Sequence, residues 1–111
     1  MADREDAKLM IQIAQWGTGL GLDEAMGAIW ADDFDPETAE ANDPMVRRVL
    51  TFGETVGTLT KNDLLDTALV LDWLWVSGIW GRVAPAAKKL REMTGVAEMY
   101  ENFEALAAKQ G

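Results

Sequence analysis

Along most of this chain apolar residues recur at the three- and four-residue steps of a helix, not at the two-residue step of a strand. Leu9, Met10, Ile13 and Trp16 form one such face. Asp3 stands ahead of them as a cap, and Glu5 and Asp6 face the positive end of the helix dipole. The run Gly17-Thr18-Gly19-Leu20-Gly21 is expected to end this helix, because each interior glycine costs about 1 kcal/mol against alanine. A short second helix is predicted next, with Asp23 as its cap and Ala25, Met26, Ile29 and Trp30 facing inward. Residues 32–43 are acidic, contain Pro36 and hold one large apolar side chain, Phe34, so they read as a connection.

Asp43-Pro44 is a strong helix start, a capping carboxylate followed by proline at the first helical position. The helix it opens is predicted to run to about Thr60, with Met45, Val49, Phe52, Val56 and Leu59 on one face and Val46 and Leu50 beside it. Gly53 and Gly57 lie four apart in its middle. Either they bare a ridge on which another helix packs closely, or they are a tolerated pair; propensity does not choose. Lys61-Asn62 should close the helix, with Asn62 able to take a left-handed conformation.

The stretch from about Leu64 to Ser77 is apolar around most of a helical circumference, which predicts a helix buried at the centre of the molecule. A further helix is expected over about 79–93, kinked or restarted near Pro85, and a last one over about 97–109 carrying Met99, Phe103, Leu106 and Ala107. No segment alternates as a strand would. The expected fold is therefore all-α: one domain over residues 1–111, a compact bundle of five or six helices around a central apolar helix at about 64–77.

Composition narrows the chemistry. At 111 residues, 49% hydrophobic and 26% charged, the chain is globular rather than disordered. With no Cys and no His it has no thiol nucleophile, no thiolate metal site and no imidazole base. Of the net charge of −9, all falls in residues 1–43, which hold eleven acids against two bases. Such a surface repels phosphate backbones, so no nucleic-acid partner is expected, and its sign is wrong for anionic lipid. The charged opening Met1-Ala2-Asp3-Arg4-Glu5-Asp6 has no apolar run behind it, so no leader is expected and the cytoplasm is the expected location. Asp66 and Asp72 interrupt the longest apolar stretch, which argues against a membrane span.

Few residues suggest function. Asp72 sits among Leu71, Trp73, Ala68, Leu69, Trp75 and Val76; if buried it needs a cation, for which Arg47, Arg48, Arg82 and Arg91 are available. The plainer reading is a structural ion pair or a helix edge that reaches water. Glu54 and Glu104 also lie among apolar residues, and pairing of either with Arg48 or Arg91 would lock helices in register. Asp33, Asp35 and Glu37 begin like a calcium loop, but Thr38 and Pro44 occupy the positions that need glycine and a bidentate acid. No metal or cofactor is expected. Trp73 and Trp75 point about 200° apart on a helix, so one of them faces a different layer or a partner. They and Trp80 are the candidate interface residues.

Arg48, Leu50, Phe52, Glu54, Gly57 and Leu59, then Leu64-Leu65, Trp80, Pro85 and Arg91, and most specifically Tyr100-Glu101-Asn102-Phe103-Glu104-Ala105-Leu106, resemble a bacterial family of helical proteins classed as a domain of unknown function. That family ends in a Tyr-x-Asn-Phe-Glu-x-Leu motif. The resemblance implies a helical fold and no particular activity. The expected role is a non-enzymatic interaction or structural module, a homo-oligomer or the binder of a protein partner. An enzyme using buried carboxylates on a small ligand or a divalent metal is the alternative from another class.

Overall fold

The computed structural model describes residues 2–110, and they form six helices in a compact body of 41 × 28 × 24 Å. In chain order these are α1 (Arg4–Leu20), α2 (Leu22–Ile29), α3 (Pro44–Lys61), α4 (Thr67–Trp73), α5 (Val76–Thr94) and α6 (Glu101–Gln110). Among the described residues there is no strand, and the fold is all-α as the periodicity predicts.

Helix α3 is the axis of the packing. It lies against α2, α5 and α6, and α6 also rests on α5. Its buried Val46, Val49, Leu50, Phe52 and Val56 meet Ala25 and Ile29 of α2, Val83, Ala86 and Ala87 of α5, and Phe103 and Leu106 of α6. Each large apolar side chain so covered contributes about 1.5–3 kcal/mol relative to exposure. The start expected at Asp43-Pro44 is where α3 begins, and Asp43 accepts from the N–H groups of Met45 and Val46. At the other end the left-handed residue is Asp63 (φ 57°), one position beyond Asn62. Leu64 N–H donates to the Leu59 carbonyl and Asp63 N–H to that of Thr60, the paired closing bonds of a Schellman motif.

The segment 64–77 departs from its expected course. It is not one helix and not the centre of the bundle. Asp66 caps α4 by accepting from Leu69 N–H, α4 ends at Trp73, and α5 starts at Val76. Only Val70 of α4 is buried. The apolar circumference is used instead by residues that point to different places on either side of a break.

Other ends also shift. The glycine run does end α1, but only at its last member: the helix continues through Gly17 and Gly19 to Leu20 and closes on Gly21 (φ 85°), whose N–H donates to the carbonyls of Gly17 and Thr18. Gly17 is buried because Phe52 and Leu22 pack within 3.1 Å of where a Cβ would stand. Gly21 also begins α2, so Asp23 lies in that helix's first turn rather than capping it. Helix α5 runs unbroken through Pro85, which deprives only the carbonyl of the exposed Gly81 of a helical partner, a place water reaches. Helix α6 starts at Glu101 after a turn over 97–100 in which Tyr100 is left-handed (φ 62°).

Helix α1 packs on α2, and Ile13 and Gly17 are its buried residues. Asp3 and Asp6 form a capping box, and the Asp6 carboxylate also accepts from the backbone N–H of Asp66 at 2.8 Å. The N–H donors of Asp3 and then Asp66 hold the Asp6 carboxyl below the ordinary aspartate value.

Candidate functional site

Between α4 and α5 the backbone leaves helical geometry at Leu74 (φ −120°, ψ 139°) and Trp75 (φ −81°, ψ 73°). The turn throws the Trp75 side chain onto the surface, where it is 64% exposed. There it stacks on Trp30, ring centroids 5.5 Å apart and planes within 12°. Gly78 makes the arrangement feasible, since a Cβ at that position would overlap the Trp75 indole.

Trp30 follows the last residue of α2 and is 42% exposed rather than facing inward as its periodicity suggests. Arg82 of α5 fixes it. The Arg82 guanidinium lies 5.1 Å from the Trp30 ring centre and 5.2 Å from that of Phe34. Its Nε donates to the Ile29 carbonyl at 2.8 Å and an Nη to the Phe34 carbonyl at 3.3 Å. One cation thus closes the C-terminal end of α2, where bare carbonyls attract positive charge, and stacks between two aromatic rings. The result is an aromatic face built from the end of α2, the turn after it and the α4–α5 break.

Of the other tryptophans, Trp73 and Trp80 turn toward the interior and Trp16 stays exposed. Trp73 is half-buried and T-shaped to Phe52, ring centroids 6.3 Å apart, while Trp75 is placed on the surface by the break and not by helical spacing. Trp80 is half-buried and T-shaped to Phe103, ring centroids 5.0 Å apart, with the Arg91 guanidinium 5.9 Å from its ring centre. Trp16 stacks on Phe52, ring centroids 5.9 Å apart, and is itself 40% exposed.

The charged candidates separate in the same way. Arg91 forms a pair with Glu104 at 2.9 Å and also donates through Nε to the Met99 carbonyl, tying α5, the 97–100 turn and α6 together. Glu54 meets neither Arg48 nor Arg91. Its carboxylate accepts from Phe103 N–H and from the Asn102 amide, both at 2.9 Å, and so caps the N-terminus of α6 from a neighbouring helix. Arg48 reaches Glu24 at 3.5 Å across an exposed gap. Asp72 is exposed and has no ion pair among the described residues, so of its two readings the helix edge in water is the one observed.

No Asp or Glu among the described residues is buried, and no three of them converge as metal ligands there. An apolar void of about 10 Å³ between Phe52, Gly53, Val56, Ile79, Phe103 and Leu106 has no polar group to hold a ligand or water. No helix of the described residues is long and apolar enough to cross a membrane. Sequence reasoning missed Gln110 altogether and saw Arg82 only as a partner for Asp72. An arginine two residues beyond Trp80 gives no sequence signal that it will close a helix more than fifty residues earlier.

Fold and site together define, among the described residues, a small six-helix bundle in which polar side chains bind helix ends and Trp75 lies exposed on Trp30. The chain belongs to the family described as Domain of unknown function (DUF4760), whose model matches residues 1–110. No curated protein and no solved structure matches it.

Proposed function

We propose that this chain is a non-enzymatic helical interaction module of the bacterial cytoplasm that self-associates, with Trp75 as the anchor of its contact face. The observation that carries this reading is the 64% exposure of Trp75 in a fixed setting, stacked on Trp30. Tryptophan dominates contact energies when it is desolvated at the middle of an interface. An anchor already immobilised by Trp30, Gly78 and the backbone break loses little further freedom on binding. The polar groups nearby support binding rather than chemistry, because Arg82 and Gln110 direct their donors to backbone carbonyls. A second copy is the simplest occupant, since one patch facing itself about a two-fold axis closes a dimer.

Light scattering over a concentration series tests this. The weight-average mass should rise from one chain toward two, and more readily in high salt, because each copy carries −9 and screening relieves the repulsion. Trp75→Ser should keep the protein monomeric at concentrations where the parent pairs, with its helical circular dichroism unchanged. A parent that stays monomeric at every concentration and salt level rules out self-association.

A further inference from the structure

We infer that Gln110 is the positioning residue of the α4–α5 joint: its side-chain amide replaces the helical hydrogen bonds of residues 71–77, and this sets Trp75 on the surface. The value of that placement for binding rests on the contact face proposed above; the joint itself does not.

Nothing local breaks the chain at residues 74 and 75. There is no proline or glycine from Leu64 to Ser77, and the apolar pattern favours one continuous helix. In such a helix the Leu71 carbonyl would accept from Trp75 N–H, the Leu74 carbonyl from Gly78 N–H, and Ser77 N–H would donate to the Trp73 carbonyl. In the structure Gln110 makes three of these connections its own. Its Nε2 donates to the Leu71 and Leu74 carbonyls, each at 3.0 Å, and its Oε1 accepts from Ser77 N–H at 2.7 Å.

The chemistry of the residue fits the task. A primary amide offers two donors and an acceptor from one planar group. Here both hydrogens of Nε2 meet carbonyls and Oε1 meets an N–H, so all three partners demand the same orientation of the amide. One side chain closes the C-terminal end of α4 and the N-terminal end of α5 at once. A seven-residue helix such as α4 cannot persist by its own hydrogen bonds, so its ends depend on outside partners: Asp66 at one, Gln110 at the other.

Gln110 reaches the joint because α6 is locked in register. Phe103 fills the space over Gly53, and Glu54 holds the first turn of α6. Two states of residues 64–94 therefore differ by a rearrangement at a single joint. With Gln110 engaged, the helix is broken and Trp75 lies on Trp30. Without it, the orphaned groups at 71, 74 and 77 are satisfied by continuing the helix, which carries Trp75 off Trp30.

The test compares the parent with Gln110→Ala and Gln110→Glu; the latter keeps an acceptor for Ser77 but loses both donors. Two readouts report the joint and not merely stability: the carbon chemical shifts of Leu74 and Trp75, and the far-ultraviolet exciton couplet of stacked indoles. In the parent the shifts should be extended and the couplet present. In Gln110→Ala they should move to helical values and the couplet should vanish, with Gln110→Glu following it. Unchanged shifts and an intact couplet in both variants would overturn the inference. If neither variant folds, amide exchange in the parent decides it: Ser77 N–H should be protected well beyond Val76 N–H, and equal exchange would overturn the assignment. Light scattering on the same samples separates the two ideas. A monomeric parent whose variants still show moved shifts removes the contact face and leaves the joint standing.

Discussion

Glycines show at single-residue scale how this chain uses the absence of a side chain. Gly53 and Gly57 form the notch that receives α6. A Cβ on Gly53 would overlap the Phe103 ring, and one on Gly57 would stand 2.5 Å from the Asn102 carbonyl oxygen. Gly27 is also helical, but nothing lies within 4 Å of where its Cβ would be. Gly57→Ala should therefore destabilise by about 1–3 kcal/mol, since a backbone cannot yield as a side chain does. Gly27→Ala should stabilise by up to about 1 kcal/mol, the ordinary helix preference of alanine. Urea midpoints at unchanged m-value give both numbers, and equal effects at the two sites would refute this account of the notch. The four-residue spacing of Gly53 and Gly57 is visible in the sequence and leaves two readings open. The choice between them depends on Phe103 and Asn102, about fifty positions away, which no local pattern connects to them. Glu54 is a similar case: its apolar surroundings mark it, but not that its partner is a backbone amide rather than an arginine.

Among the elements, those bounded by local chemistry were legible and those bounded by distant partners were not. Helix α3 begins where Asp43-Pro44 requires, because cap and proline act within one turn. The α4–α5 break and the end of α2 are set by Gln110 and Arg82, so the apolar pattern misread the first as a continuous helix. Helix α6 starts four positions later than its apolar spacing suggests, at the point where Glu54 can accept from Phe103 N–H. That cap gives a prediction at this scale. Glu54→Ala should cost about 1–2 kcal/mol, the usual loss on removing a capping side chain. Amide exchange should show the loss concentrated in the first turn of α6, and uniform loosening of all six helices would show that Glu54 is not a local cap.

At the scale of the whole molecule, the acidic third of the chain divides between α2, which packs on α3, and α1, which has only two buried residues. Helix α1 is fastened by Ile13, by Gly17 against Phe52, and by Asp6 on the backbone of Asp66. Because the Asp6 carboxyl is held below its ordinary value when folded, its contribution is fully present above the unfolded value, about pH 4. It is lost as pH falls through the lower, folded value. Asp6→Ala should lower the melting temperature at neutral pH and narrow its gap from the parent below about pH 4. A gap that stays constant down to strong acid would show that the carboxylate form is not what fastens α1.

The anchoring of α6 also bears on the order of events during synthesis. Its contacts reach back 49 residues from Phe103 to Glu54 and 33 from Gln110 to Ser77. A chain growing from its N-terminus makes the notch at Gly53 and Gly57 long before it makes Phe103, and forms the 64–77 segment before the glutamine that breaks it. Until α6 has been translated, the notch stands open and the apolar segment is free to form the uninterrupted helix its sequence favours. The native fold of these six helices is therefore completed only once α6 has been made, and the nascent chain must stay clear of aggregation with its apolar core uncovered until then.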